Sequence, residues 1–185
     1  MHKKNKYHRI DRTYRDEKHV TSEAWFDTDG QPMTTGDTFA RIERDFDGNG
    51  NTTAERYYGT DGQPVARNDG YDEVRNTFDE INRVIRIEYL ADGKPVLTVS
   101  GGMAVIERVY GEDGFIATEA YYGTDGEPVA HVKNKYHRID RTYLDAKHIT
   151  SEAWYDTDGN AMTTGDTFVR IERDFDERGN TTAER

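Results

Sequence analysis

Aromatic pairs are the residues with the clearest capacity for chemistry in this 185-residue chain. Trp25-Phe26, Tyr57-Tyr58, Tyr121-Tyr122 and Trp154-Tyr155 recur at a regular beat, and a fifth place holds Tyr89 beside Glu88. Aromatic faces set out in register would stack on sugar rings or attract a quaternary ammonium group. Adjacent side chains of a strand point to opposite faces, so one member of each pair is expected inward and its neighbour outward. The competing expectation is that both members pack between stacked hairpins.

Other candidate groups lead away from catalysis. A column of acids runs through Glu23, Glu55, Glu119, Glu152 and Glu184, with Ile87 in its third place. Two carboxylates can cleave a glycosidic bond, but a catalytic pair is normally unique, and these recur beside Arg12, Arg44, Arg108, Arg141 and Arg173. Cross-strand ion pairs account for them better. Asp27-Thr-Asp-Gly30, Asp47-Gly-Asn-Gly-Asn51 and Asp156-Thr-Asp-Gly159 offer oxygen ligands. None completes a calcium loop with its closing Glu, and Asp-Gly is what a tight hairpin needs. His8 and His137, like His19 and His148, are copies of one another rather than a ligand set. No Gly-rich phosphate loop, nucleophile elbow or Ser/His/Asp arrangement occurs. Catalytic residues, metal ligands and cofactors are therefore not expected.

The positioning elements follow from a repeat. An aromatic recurs at Tyr14, Phe46, Phe78, Tyr110, Tyr143 and Phe175, with spacings of 32, 32, 32, 33 and 32. Four residues before each stands Ile10, Ile42, Val74, Ile106, Ile139 or Ile171, and turn glycines follow at Gly30, Gly62, Gly93, Gly126 and Gly159. A longer period lies over this one: residues 5–56 return as 134–185 with nine differences in 52 positions. Each unit reads as strand, turn, strand, turn. Met33, Val65, Val96, Val129 and Met162 are expected to begin the strand after the second turn. Residues 71–90 have a helix-like charge pattern, but their column matches override it. A lone hairpin is marginal in water, so neighbouring units must share a core.

This predicts an all-β tandem array of β-hairpins, a solenoid or extended meander with a unit of about 32 residues. One repeat domain spans 7–185, in units 7–38, 39–70, 71–102, 103–135, 136–167 and a truncated 168–185. The half-unit suggests a stretch cut from a longer array, with residues 1–6 a lead-in partly of cloning origin.

Composition narrows the function classes. With 36 acidic against 25 basic residues, the chain carries a net charge of −11, which disfavours nucleic acid as a partner. Low hydrophobicity at this charge would suggest disorder, but 12 Tyr, 7 Phe and 2 Trp can supply a thin core. There are no cysteines for a disulfide or thiolate site. No apolar run is long enough to span a bilayer, so membrane insertion is not expected of this fragment.

Two resemblances sharpen the reading. Trp154-Tyr-Asp-Thr-Asp-Gly-Asn-Ala-Met-Thr-Thr-Gly165 and Trp25-Phe-Asp-Thr-Asp-Gly-Gln-Pro-Met-Thr-Thr-Gly36 resemble choline- and glucan-binding cell-wall repeats, a spiral of hairpins that holds its ligand on aromatics. That resemblance implies Trp25, Phe26, Met33, Trp154, Tyr155 and Met162 as cage residues, with Tyr57, Tyr58, Tyr89, Tyr121 and Tyr122 continuing the ladder. The unit here is longer than the family's, and its Gly-Trp is replaced by Gly-Asp-Thr-Phe at 36–39 and 165–168. Arg44-Asp-Phe-Asp-Gly-Asn-Gly-Asn51 and Arg173-Asp-Phe-Asp-Glu-Arg-Gly-Asn180 resemble the core of YD repeats, which build hairpin shells in bacterial surface and toxin-delivery proteins. The implied function is a non-catalytic module on the bacterial cell surface, binding a cell-wall glycan, a glucan or a choline-type ligand. The alternative is a passive stalk or shell without a ligand.

Overall fold

The computed structural model describes residues 7–34, 36–163, 165 and 167–185. Every regular element among them is a β-strand, and every strand pairing is antiparallel. The chain divides into two compact units, one ending at Val99 and the other beginning at Ser100. The first contains β1 (Arg9–Tyr14), β2 (Val20–Phe26), β3 (Arg41–Phe46), β4 (Thr52–Tyr58), β5 (Glu73–Phe78), β6 (Val84–Ala91) and the short β7 (Lys94–Pro95). The second contains β8 (Val105–Tyr110), β9 (Ile116–Tyr122), β10 (Arg138–Asp145), β11 (His148–Tyr155), β12 (Arg170–Phe175) and β13 (Thr181–Glu184). Within each unit, strands consecutive in the chain are neighbours in the sheet. Residues 71–90 form β5 and β6, as the column matches require.

Register carries the repeat columns into space. Ile10 lies opposite Trp25, Ile42 opposite Tyr57, Val74 opposite Tyr89, Ile106 opposite Tyr121 and Ile139 opposite Trp154. Two residues along the same face, Arg12 meets Glu23, Arg44 meets Glu55, Arg108 meets Glu119 and Arg141 meets Glu152. A register shift falls at the turn-side aromatic of each hairpin, as at Phe46 and Phe78, and a local shift of this kind twists the strand ends.

The turns explain where the aspartates are spent. Between β3 and β4, one Asp47 carboxylate oxygen accepts the backbone N–H of Asn49 and of Asn51, both at 2.9 Å. Asp27, Asp79, Asp156 and Asp176 do the same for the residues two and four places on. Hydrogen bonding of this kind favours the charged carboxylate. The Asn51 amide leads in lowering the Asp47 pKa, and the Arg83 backbone N–H leads at Asp79. The loops are thus longer than the two-residue turns that Asp-Gly suggests, because the Asp side chain closes them. Gly50 supplies the required positive φ of 88°, and Asn82 supplies 66° at the matching place.

Two of these turns are clasped by histidine. His19 packs edge-on against Phe46 with ring centroids 4.9 Å apart, and its Nδ1 lies 2.6 Å from Asp16. A Cβ on Gly50 would fall 2.6 Å from His19 Nε2, and one on Gly179 would fall 2.6 Å from His148 Nε2. Gly50→Ala should therefore combine left-handed backbone strain with a clash and destabilise the first unit by about 1–3 kcal/mol. Adding His19→Ala should recover only the clash. Urea unfolding of the single and double variants measures this, and full recovery in the double variant would exclude backbone strain as a contributor.

Met33, Val65, Val129 and Met162 do not begin long strands. Each donates one backbone hydrogen bond back to the first aromatic of its pair, at 2.9–3.0 Å. The chain then crosses the face of the hairpin, and β3, β5, β10 and β12 start several residues later. These crossing segments carry core residues of their own. In the first unit Phe39, Ile42, Tyr57 and Tyr71 form a buried cluster, with Trp25, Val65, Val74, Tyr89 and Val96 packed against it. In the second, Met103, Tyr121, Tyr136, Ile139 and Trp154 do so, with Ile106, Val129, Met162 and Ile171 around them.

Candidate functional site

The first members of the aromatic pairs all face a core cluster. Tyr57 is 2% exposed, Tyr121 4% and Trp154 7%, while Trp25 and Tyr89 are half-buried. In the first unit they form one continuous zipper with two aromatics from the crossing segments. Trp25 meets Phe39 at 5.8 Å, Phe39 meets Tyr57 at 5.1 Å, Tyr57 meets Tyr71 at 6.0 Å, and Tyr71 meets Tyr89 at 4.9 Å. These separations suit tilted and edge-to-face packing. Met33 is half-buried, and Met162 packs against the second cluster.

The second members point to the opposite face, where none is bare. Arg9 lies directly across from Phe26, Arg41 from Tyr58, and Arg138 from Tyr155. Their guanidinium carbons sit 4.3, 4.0 and 3.9 Å from the ring centroids. Tyr122 instead meets the ring of His137 at 5.2 Å. The surface expected to receive a cation or a sugar thus carries the protein's own side chains.

The most informative group is one the aromatic pairs did not reveal. Arg67, in the segment crossing from β4 to β5, stands over Phe39, Tyr57 and Tyr71 at 5.6, 4.9 and 5.7 Å. It donates to Asp37 at 2.8 Å and to the Tyr71 hydroxyl at 3.2 Å. Burial works against its charge, but the bond to Asp37 and the neighbouring tyrosines outweigh that, so the Arg67 pKa is raised. The Tyr57 hydroxyl donates to Glu55 at 2.9 Å, and burial followed by the Glu55 charge pushes the phenol pKa upward. This is a cation–π cage with an internal occupant. In the hairpin of β8 and β9 the corresponding place is filled by His131, whose ring lies 5.3 Å from Tyr121.

The acid column is also spoken for. Arg44 joins Glu23 at 3.1 Å to Glu55 at 2.6 Å, and Arg173 joins Glu152 at 3.1 Å to Glu184 at 2.8 Å. Arg108 holds Glu119 at 2.8 Å. The oxygens of these carboxylates are thus engaged by arginines across the strands. Among the described residues, no group of three His, Asp or Glu is placed to hold a metal. No helix there is long and apolar enough to cross a membrane.

Phe39, Tyr71, Tyr136 and Phe168 were missed as site residues, although they form a column of their own with spacings of 32, 65 and 32. Met103 stands at the intermediate place, so the column reads as four aromatics interrupted by one apolar residue. In the hairpin of β10 and β11, Tyr136 and Trp154 line an open groove of about 510 Å³. Position 164, aligned with Arg67, is a threonine in the sequence and lies outside the described residues. Compared with family models and with curated proteins, the chain finds no match.

Proposed function

We propose that the chain is a non-catalytic scaffold, a tandem array of β-hairpin repeats of the solenoid or meander kind, whose aromatic ladder is internal packing. The observation that carries this reading is Arg67, which occupies the ring box of Phe39, Tyr57 and Tyr71 from within. The guanidinium groups stacked on Phe26, Tyr58 and Tyr155 support it on the other face. An array of this sort extends by adding units, each burying its apolar face on the next. The resemblance of its motifs to YD and cell-wall repeats supports a setting outside a bacterial cell. Tryptophan fluorescence of the full chain, titrated with choline and with a neutral glucan oligosaccharide, is expected to stay flat. Saturable quenching by either would overturn the scaffold reading.

A second reading, carbohydrate binding, is favoured by the groove beside Trp154. Its volume of about 510 Å³ falls in the range of small-ligand sites, and it has two aromatic residues in its lining.

A further inference from the structure

The groove in the second unit differs from the filled boxes in the charge of its described lining residues. Its apolar lining is Tyr136, Ile139 and Trp154, which are 7%, 2% and 7% exposed. Lys133, Lys135 and Arg141 also line it. Glu152 is the one acid among the described lining residues, and it is held by both Arg141 at 3.2 Å and Arg173 at 3.1 Å. An excess of positive charge among the described lining residues, on a chain of net −11, suits an anionic occupant. The apolar side chains in the lining suit one that also has an apolar face.

The turn that presents the lysines is built in an unusual way. Lys135 has φ of 68° immediately before Tyr136, whereas the residue before Tyr71 in the first unit is Gly70, with φ of 96°. Left-handed backbone disfavours a residue with a Cβ, and such strain concentrates at functional positions. The turn is fixed by His131, whose Nδ1 accepts the N–H of Lys133 at 3.1 Å and of Asn134 at 3.2 Å. The Lys135 N–H donates to the His131 carbonyl at 2.7 Å, and the Asn134 amide donates to the Tyr136 hydroxyl at 3.2 Å. Glycine would satisfy this backbone without strain. Each lining residue has an identical counterpart 129 positions earlier, including Tyr7 for Tyr136 and Trp25 for Trp154.

We infer that the groove binds a carboxylated sugar, a uronate residue of an acidic glycan, with the carboxylate at Lys133 and Lys135 and the ring against Tyr136 and Trp154. This rests on the carbohydrate reading of the same groove. The test is calorimetric titration of the full chain with a tetrasaccharide of galacturonic acid and with a neutral galactose tetrasaccharide. The acid should bind and the neutral sugar should bind at least ten-fold more weakly, with the difference shrinking at high salt. Lys135→Gly should weaken acid binding at least five-fold while leaving Tm unchanged or raised, since it removes the left-handed strain. Equal binding of the two sugars would overturn the uronate inference and leave the carbohydrate reading standing. Binding of neither would overturn both. Full acid affinity in Lys135→Gly would likewise overturn the inference, because the lysine would then have no part in recognition.

Discussion

Trp154→Ala lowers the stability of the second unit by about 3–5 kcal/mol, the cost of emptying a buried aromatic site that cannot collapse. Trp154 belongs to the cluster of Met103, Tyr121, Tyr136 and Ile139, with Met162 and Ile171 packed against it. A domain is typically stable by about 5–15 kcal/mol, so the loss takes a large share of what is available. Trp25→Ala should cost about 2 kcal/mol, because Trp25 is half-buried and sits at the margin of its cluster. The chain has only these two tryptophans, so each variant leaves a single reporter. Urea unfolding followed by circular dichroism gives the total change, and fluorescence gives the change at the remaining tryptophan. Equal losses in the two variants would show that the packing difference between the two copies has no energetic weight.

The unequal burial of two copies of one sequence motif shows where sequence reading runs out. Alternation and the repeat columns were enough to read each unit as strand, turn, strand, turn, while the register that sets Ile10 opposite Trp25 and Ile139 opposite Trp154 came from the structure. The Asp-x-x-Gly turns were visible for the same local reason: one side chain caps two N–H groups within five residues. The boxes were harder to see. Phe39 and Tyr71 lie in segments that connect strands, and a connecting segment carries no period of two to mark an inward side. Arg67 was invisible as a core group because a lone arginine in a polar stretch reads as solvated surface. Period alone implied that one member of each aromatic pair leaves the core, but not which one, nor that Arg9 and Arg41 would lie across from Phe26 and Tyr58. That depends on the pairing of particular residues across the hairpin, which each turn adjusts by its register shift.

Arg67→Ala is expected to destabilise the first unit by about 2–3 kcal/mol, less than a fully buried ion pair would lose because the side chain is about one-third exposed. The variant empties the box of Phe39, Tyr57 and Tyr71 and strips Asp37 of its charged partner. Arg67→Lys should recover less than half of the loss, since an ammonium keeps the charge but not the planar stacking surface. Arg67→His should do better than Lys, because His131 already stands at the matching place against Tyr121. The box itself can be probed by adding its missing occupant. Methylguanidinium should raise the Tm of Arg67→Ala in a saturable way and leave the wild-type chain and Arg67→His unaffected, as a ligand that binds only the folded, emptied box must. If methylguanidinium shifts all three chains alike, it is acting on the general surface. If Arg67→Ala unfolds no more easily than wild type, the guanidinium is decoration on a box that packs without it, and the closed ladder has lost the contact on which the scaffold reading depends.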